Sequence, residues 1–538
     1  MGCNGCSSSS SNSSSTGSTT GATGSGGGTT PTPGVVQVLT YHDDNSRSGQ
    51  NTQETVLTTA NVNSTSFGKV GFDTVDGKVD AEPLYVPGVT IGGTSHNVLY
   101  VVTEHDSAYA FDADTGTQLW HVSVLGANET TSDPRGCGQV EPEIGITSTP
   151  VIDPKAGAHG IIYMVAASKD SSGNYHQRLH ALDLTTGAEV SGSPVEITAT
   201  YPSMGPQSSN GQLVFDPKQY NERAGLLLLN GVVYLAYSSH CDIQPYTGWV
   251  MGYNENTLAQ TSVLNLTPNG SEGSIWQSGA GPAADSSGNI YFLDANGSFD
   301  TTLNANGMPA NGDYGNAFMK VSTSSNKLTP ADYFTMSNTV AESNADEDLG
   351  SGGAMLLPDE MDASGTVRHL AVGAGKDANI YVVDRDNMGK FHASGNTIYQ
   401  ELGGALSGQE FGMPAYWNNT VYYGAVGDSI RAYPITQAKL ATSPSSKTAH
   451  QFPYPGATPS ISSNGTSNGI LWAVDNSNPA VLYAYDATDL TKELYDSSQA
   501  AAGRDQFGPG NKYITPMIVN GKVYVGMQTG VAVFGLLK

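Results

Sequence analysis

Short apolar runs separated by tight polar turns fill this chain from about residue 67 to its end. From Leu99 it reads LYVVTEHDSAYAFDADTGTQLW: an apolar run, a polar turn, an alternating run, an Asp-x-x-Thr-Gly turn and a Trp. Short runs of alternating or continuous apolar residues bounded by turn residues predict β-strands. The same order recurs from Ile161, Val232, Ile290, His369, Val421, Ile470 and Val523. Equivalent strand positions fall at Tyr100, Tyr163, Tyr234, Tyr291, Leu370, Tyr422, Trp472 and Tyr524, roughly 50 to 80 residues apart. Self-similarity on this scale marks a repeat architecture.

Most copies are preceded by a short Gly- and Pro-containing segment, such as GAGPAAD from Gly279, GSGGAMLLP from Gly350 and GMPAYW from Gly412. Small residues once per repeat suit an innermost strand crowded around an axis. Eight copies of four strands predict an all-β fold, an eight-bladed β-propeller. The last copy stops at Lys538, one strand short. A strand near Phe67–Asp73 is expected to complete it, closing the ring and removing an open edge.

Composition sharpens this picture. The chain has 538 residues, 65 of them Gly and 27 Pro, and only 13% are charged, against about 25% in a typical soluble domain. Length alone suggests three or four domains; the repeat replaces that with a single domain over residues 35–538. The net charge of −26 and the absence of clustered Lys and Arg argue against nucleic acid and anionic membranes as partners, since both are held by cations. The longest apolar run, Ala224–Tyr237, is too short to span a bilayer.

Residues 7–34 contain only Ser, Gly, Thr, Asn, Ala and Pro, and follow Cys3 and Cys6. That composition is a flexible linker, and a Cys before such a linker resembles the mature start of a bacterial lipoprotein. Residues 1–34 are therefore expected to be a lipidated tether on an exported, periplasmic or cell-surface protein, although no basic or apolar leader precedes the Cys. Cys137 and Cys241 lie 104 positions apart; whether they pair is left open.

The Tyr-x-x-x-Asp-Ala-x-Thr-Gly-x-x-x-Trp repeat, and the opening YHDDNSRSGQNTQETVLTTANVNSTSFGKV from Tyr41, resemble the quinoprotein alcohol dehydrogenase superfamily over roughly residues 40–538. The resemblance implies an eight-bladed propeller with pyrroloquinoline quinone and calcium on its axis, but it equally fits a cofactor-free branch of the same repeat family. Four segments carry implied site residues. In SEGSIWQSGAGPAAD, Trp276 matches the aromatic floor under the quinone; otherwise it packs between blades. In ANGSFD, Asn296 matches a calcium ligand; otherwise it begins an Asn-Gly turn. In NADEDLGSGGAMLL, Asp348 matches the catalytic base, and three acids within three residues make Asp346 and Asp348 candidate metal ligands in their own right; otherwise this is a solvated acidic loop. In GKDANIYVVDRDNMGKF, Lys376 matches the cation on the quinone oxygens; otherwise it is a surface Lys.

Two family features are missing. There is no adjacent Cys-Cys pair to cover the quinone, only Cys137 in that region, and the calcium-binding Glu has no clear match near SKDSSGNYHQRL, where Asp170 is the nearest acid and Glu141 and Glu143 lie upstream. Their loss favours an exported, cofactor-free binding or scaffold propeller that takes an envelope protein or glycan through its loops. The alternative is a dehydrogenase using the quinone and calcium to oxidise an alcohol or sugar. His105 and His240 each follow a strand as loop histidines.

Overall fold

The repeat arithmetic resolves into eight sheets arranged as blades. A computed structural model describes residues 36–538; the expected tether, with Cys3 and Cys6, lies outside the described residues. Blade 1 comprises Leu84–Ile91, Thr94–Val102, Ser107–Asp112 and Gln118–Ser123, paired antiparallel in that order. The second strands of the next blades are Ile161–Asp170, Val232–Ser239, Asn289–Leu293, Leu370–Ala374, Thr420–Tyr423, Ser467–Asp475 and Lys522–Gly526. All eight equivalent positions named above fall on these second strands and are buried.

Burial follows position within the blade. Val232–Ser239 is buried at every residue because blades cover both faces of an inner strand, whereas the outermost strand Gln118–Ser123 has only exposed and half-buried residues. The recurrent Tyr has a further task. Tyr100, Tyr163, Tyr422 and Tyr524 donate their hydroxyls to the carbonyls of Leu184, Glu255, Ala487 and Ala113 in the following blade, at 2.8–3.3 Å. Each acceptor directly follows the Asp or Asn that opens the turn after the third strand (Asp183, Asn254, Asp486, Asp112). One repeat position thus fastens successive blades through a group that must be hydrogen-bonded when buried.

Closure is as expected. Phe67–Thr74 pairs antiparallel with Gly530–Leu536 and completes blade 8 as its outermost strand. A second closure was not foreseen. Residues 38–51 run around the inside of the ring and touch each blade in turn. Val38 bridges Tyr85 of blade 1. Leu39, Asn45, Ser46, Ser48 and Gly49 accept the backbone N–H groups of Ile152, Ala284, Leu356, Tyr416 and Ile461, in blades 2, 4, 5, 6 and 7, at 2.7–2.9 Å. The Asn45 and Asn51 side chains donate to Leu228 of blade 3 and Ile518 of blade 8, both at 3.0 Å.

Arg47 locks this girdle. Fully buried, it donates to the carbonyls of Pro282 (3.0 Å), Tyr41 (2.8 Å) and Leu226 (3.2 Å) and to the Thr40 hydroxyl (2.6 Å). Burial pulls the guanidinium down to about 10, so it remains charged at neutral pH. Arg47→Met is expected to cost about 3–5 kcal/mol in urea unfolding, because four acceptors lose their donor inside the ring. Arg47→Lys should recover only part of that, since an ammonium cannot fork between separate carbonyls. An unchanged midpoint for Arg47→Met would refute the locking role.

Candidate functional site

Loops from successive blades meet at one end of the axis and enclose a cavity of about 410 Å³. Trp276, Asn296, Asp346, Asp348 and Lys376 all line it, although they arise from four separate sequence segments. Their loops are of two kinds. Trp276, Asp346 and Asp348 lie between the outermost strand of one blade and the innermost strand of the next; Asn296 and Lys376 follow second strands. Both loop types emerge at the same end of a propeller, so the repeat brings them together.

Two glycines permit the close approach. A Cβ on Gly350 would run into the backbone of Asp294 and Ala295, and one on Gly375 into Asp348 and Leu349. With neither present, the Lys376 N–H donates to the Asp348 carbonyl at 2.9 Å, and the Leu349 N–H to the Asn316 side chain at 2.7 Å. The short helix Thr339–Ala345 ends at Asp346 in the left-handed conformation, φ 59°, which turns the chain into the acidic loop. Trp276 precedes two further left-handed residues, Gln277 (φ 43°) and Ser278 (φ 51°). Gln277 holds the Leu293 N–H (3.2 Å) and Ser278 donates to the Ser351 carbonyl (2.8 Å). Non-glycine residues in this region are strained and persist where neighbours over-determine them.

The charged groups form an ordered set. The Lys376 ammonium pairs with Asp348 Oδ1 at 2.8 Å and also with Asp346. Asp348 is buried, whereas Asp346 is exposed. Burial drives the Asp348 carboxyl upward and Lys376 opposes it. Burial would lower Lys376, but Asp348 and Asp346 more than offset that and hold it above its usual value. Asn296 Nδ2 donates to Asp346 Oδ1 at 3.2 Å, so its amide is engaged with the same acid.

Other groups in and beside the cavity carry no sequence signal. Asp294, two residues before Asn296, is wholly buried with no hydrogen-bonding partner for either oxygen, and burial pushes its carboxyl well up. Phe411, Tyr454 and Tyr513 form an aromatic wall, with the two tyrosine hydroxyls 2.9 Å apart. Tyr513 lies on the loop between blades 7 and 8, four blades around the ring from Trp276. Arg223 enters the same cavity and lies 4.6 Å over the Tyr513 ring. No motif flags a lone Arg or Tyr on a loop, which is why these were missed.

Cys137 and Cys241 are joined as a disulfide, and both line the cavity. Asp170 accepts from the N–H groups of Ser172 and Asn174 in a turn of blade 2, and Glu143 pairs with half-exposed His105 at 3.0 Å. Neither acid reaches the cavity lining. His240 contacts the Pro134 carbonyl at 3.2 Å, and burial pulls it down to about 4, which keeps it neutral.

The donor set can be tested against the calcium and quinone implied by the resemblance. Calcium takes six to eight oxygen ligands. Here the two carboxylates of the acidic loop hold an internal ammonium, and among the described residues no group of three or more His, Cys, Asp or Glu is placed to hold a metal. With Lys376 in place, neither carboxylate of that loop is free for calcium. The half-buried Trp276 stacks on no other aromatic ring among the described residues, so the cavity retains a free aromatic surface.

No family model and no curated protein matches the chain. Solved structures do. A quinohemoprotein alcohol dehydrogenase from Pseudomonas putida aligns over 93% of this chain and 80% of its own, at 14% identity and TM-score 0.60. Its counterpart from Comamonas testosteroni aligns over the same shares at 15% identity and TM-score 0.60. A europium-containing methanol dehydrogenase aligns over 94% of this chain and 99% of its own, at 14% identity and TM-score 0.57. At such identities likeness speaks for architecture, and the chain has the eight-bladed propeller fold of the quinoprotein alcohol dehydrogenases.

Proposed function

We propose that this chain is a cofactor-free binding propeller of the cell envelope whose ligand seat is the axial cavity. One observation carries the reading: Lys376 occupies the space between Asp346 and Asp348. A divalent ion would have to displace that ammonium and would then find Asn296 as its only further matched donor. The Cys137–Cys241 bridge supports export, because such bonds persist in oxidising compartments. The envelope setting, with a lipid anchor on residues 1–34, is part of the same proposal, and the ligand is a small molecule or the end of a glycan.

A second reading, a dehydrogenase using pyrroloquinoline quinone and calcium on an alcohol or sugar, is favoured by the convergence of Trp276, Asn296, Asp348 and Lys376 on one cavity.

Titrating the purified protein with calcium and the quinone separates the two. Neither a calcium-dependent absorbance change nor calcium-dependent thermal stabilisation is expected, whereas ligand at 100 times its Kd would add about 2.7 kcal/mol. Lys376→Met, which releases both carboxylates, should acquire a calcium response that the parent lacks. Calcium-dependent quinone uptake with dye-linked alcohol oxidation by the parent would overturn the binding-protein reading.

A further inference from the structure

The cavity wall carries the acids Asp242, Asp346 and Asp348 and two cations, Lys376, which holds Asp346 and Asp348, and Arg223, which the protein leaves without an acid. Arg223 makes no ion pair or hydrogen bond among the described residues; its guanidinium only lies over the Tyr513 ring, at 4.6 Å. Lys512 makes no ion pair either. It lies 5.1 Å over the Tyr454 ring and donates to the side-chain oxygen of Gln139. Burial lowers Lys512, and the nearby charges of Arg223 and Lys78 lower it further against Asp80. Lys78 is already paired with Asp80 at 3.1 Å. Of these two cations only Arg223 lines the cavity; an unpaired cation on a pocket wall is an electrostatic seat for an anion, and a planar guanidinium matches a carboxylate through two parallel N–H groups.

The remainder of the lining decides what carries the carboxylate. Trp276, Tyr454 and Tyr513 present ring surfaces, while Asn221 and Gln409 present amides and the Asn296 amide is engaged by Asp346. The C–H face of a sugar ring packs on an aromatic surface, and its hydroxyls supply both donors and acceptors at the rim. A flat aromatic acid would satisfy Arg223 and the rings but leave the amides facing apolar edges, and unsatisfied polar groups are costly. A cavity of about 410 Å³ is within the size range of small-molecule sites.

We propose that the axial cavity binds a sugar acid, with the carboxylate of a hexuronate held by Arg223 and the sugar ring packed against the aromatic wall. This rests on the reading of the cavity as a ligand seat that does not require calcium.

Calorimetric titration of the full chain tests it with glucuronate and galacturonate, compared with glucose, galactose and benzoate. At least one uronate should bind tenfold or more tighter than its neutral sugar, and that advantage should shrink with added salt. Arg223→Gln should weaken uronate binding roughly ten- to a hundredfold, leaving the neutral sugar and the melting temperature unchanged. Arg223→Lys should retain part of the preference.

Equal affinity for uronate and neutral sugar, tighter binding of benzoate, or no uronate binding would each overturn the sugar-acid assignment. The first two would leave the cavity a ligand seat. Calcium-dependent quinone binding would instead overturn the underlying reading, so the two failures are distinguishable.

Discussion

A chain beginning at Gly77 is expected not to accumulate as a folded monomer. Its first loss is the outermost strand of blade 8. Phe67, buried against Trp472, Tyr495 and Phe534, disappears, and Gly530–Leu536 becomes an unpaired edge. A long apolar edge recruits other chains. The second loss is the girdle of residues 38–51, with its backbone contacts to the innermost strands and the Arg47 lock. Each abandoned buried polar group costs about 1–3 kcal/mol, against a total domain stability of only about 5–15 kcal/mol. Size-exclusion chromatography and near-ultraviolet circular dichroism would report aggregation and loss of fixed aromatic environments. A truncated chain that stays monomeric and melts within a few degrees of the parent would refute both closure devices.

Stability is expected to fall from pH 5 to pH 8. Glu104, Glu222 and Glu410 are buried, and burial pushes each carboxyl from its usual value of 4.5 to about 8. Between 4.5 and 8 the folded protein holds a proton on each that the unfolded chain has released. A raised acid therefore adds stability that is fully present below the unfolded pKa and disappears as pH rises through the folded one. Each group steepens the loss in that window, by at most about 1.4 kcal/mol per pH unit. On the acid side the sign reverses. Glu129, held near 2 first by Arg178, adds stability above its usual pKa that is lost as it protonates, so the maximum lies near pH 5.

Urea unfolding at half-unit intervals checks this. Glu222→Gln and Glu410→Gln, which keep the shape and remove the titration, should each flatten the slope between pH 5 and 8. A stability that is level or rising over that range would refute the assignment. Glu222 lies between Asn221 and Arg223, and Glu410 between Gln409 and Phe411, all four on the cavity lining. The pH at which the fold loosens is therefore also a pH at which the cavity wall is disturbed.

The candidate site was legible only in part. Trp276, Asn296, Asp346, Asp348 and Lys376 were identified because each belongs to a segment of recognisable pattern, and the repeat places such segments at one end of the ring. What Lys376 does there was not legible. From its motif it is a cation for a bound quinone; in the structure it is the counter-ion of two acids of its own chain.

Strand order, the count of eight blades and closure by Phe67–Thr74 were determined by the sequence alone, because period-two burial and turn chemistry act over a few residues and repeat. The tertiary structure alone decided the Cys137–Cys241 bridge, the circuit of residues 38–51 locked by Arg47, and the approach of Arg223 to Tyr513. Those contacts join residues separated by a large part of the chain. Their distances depend on the summed rotation of the blades between them, which no local pattern records.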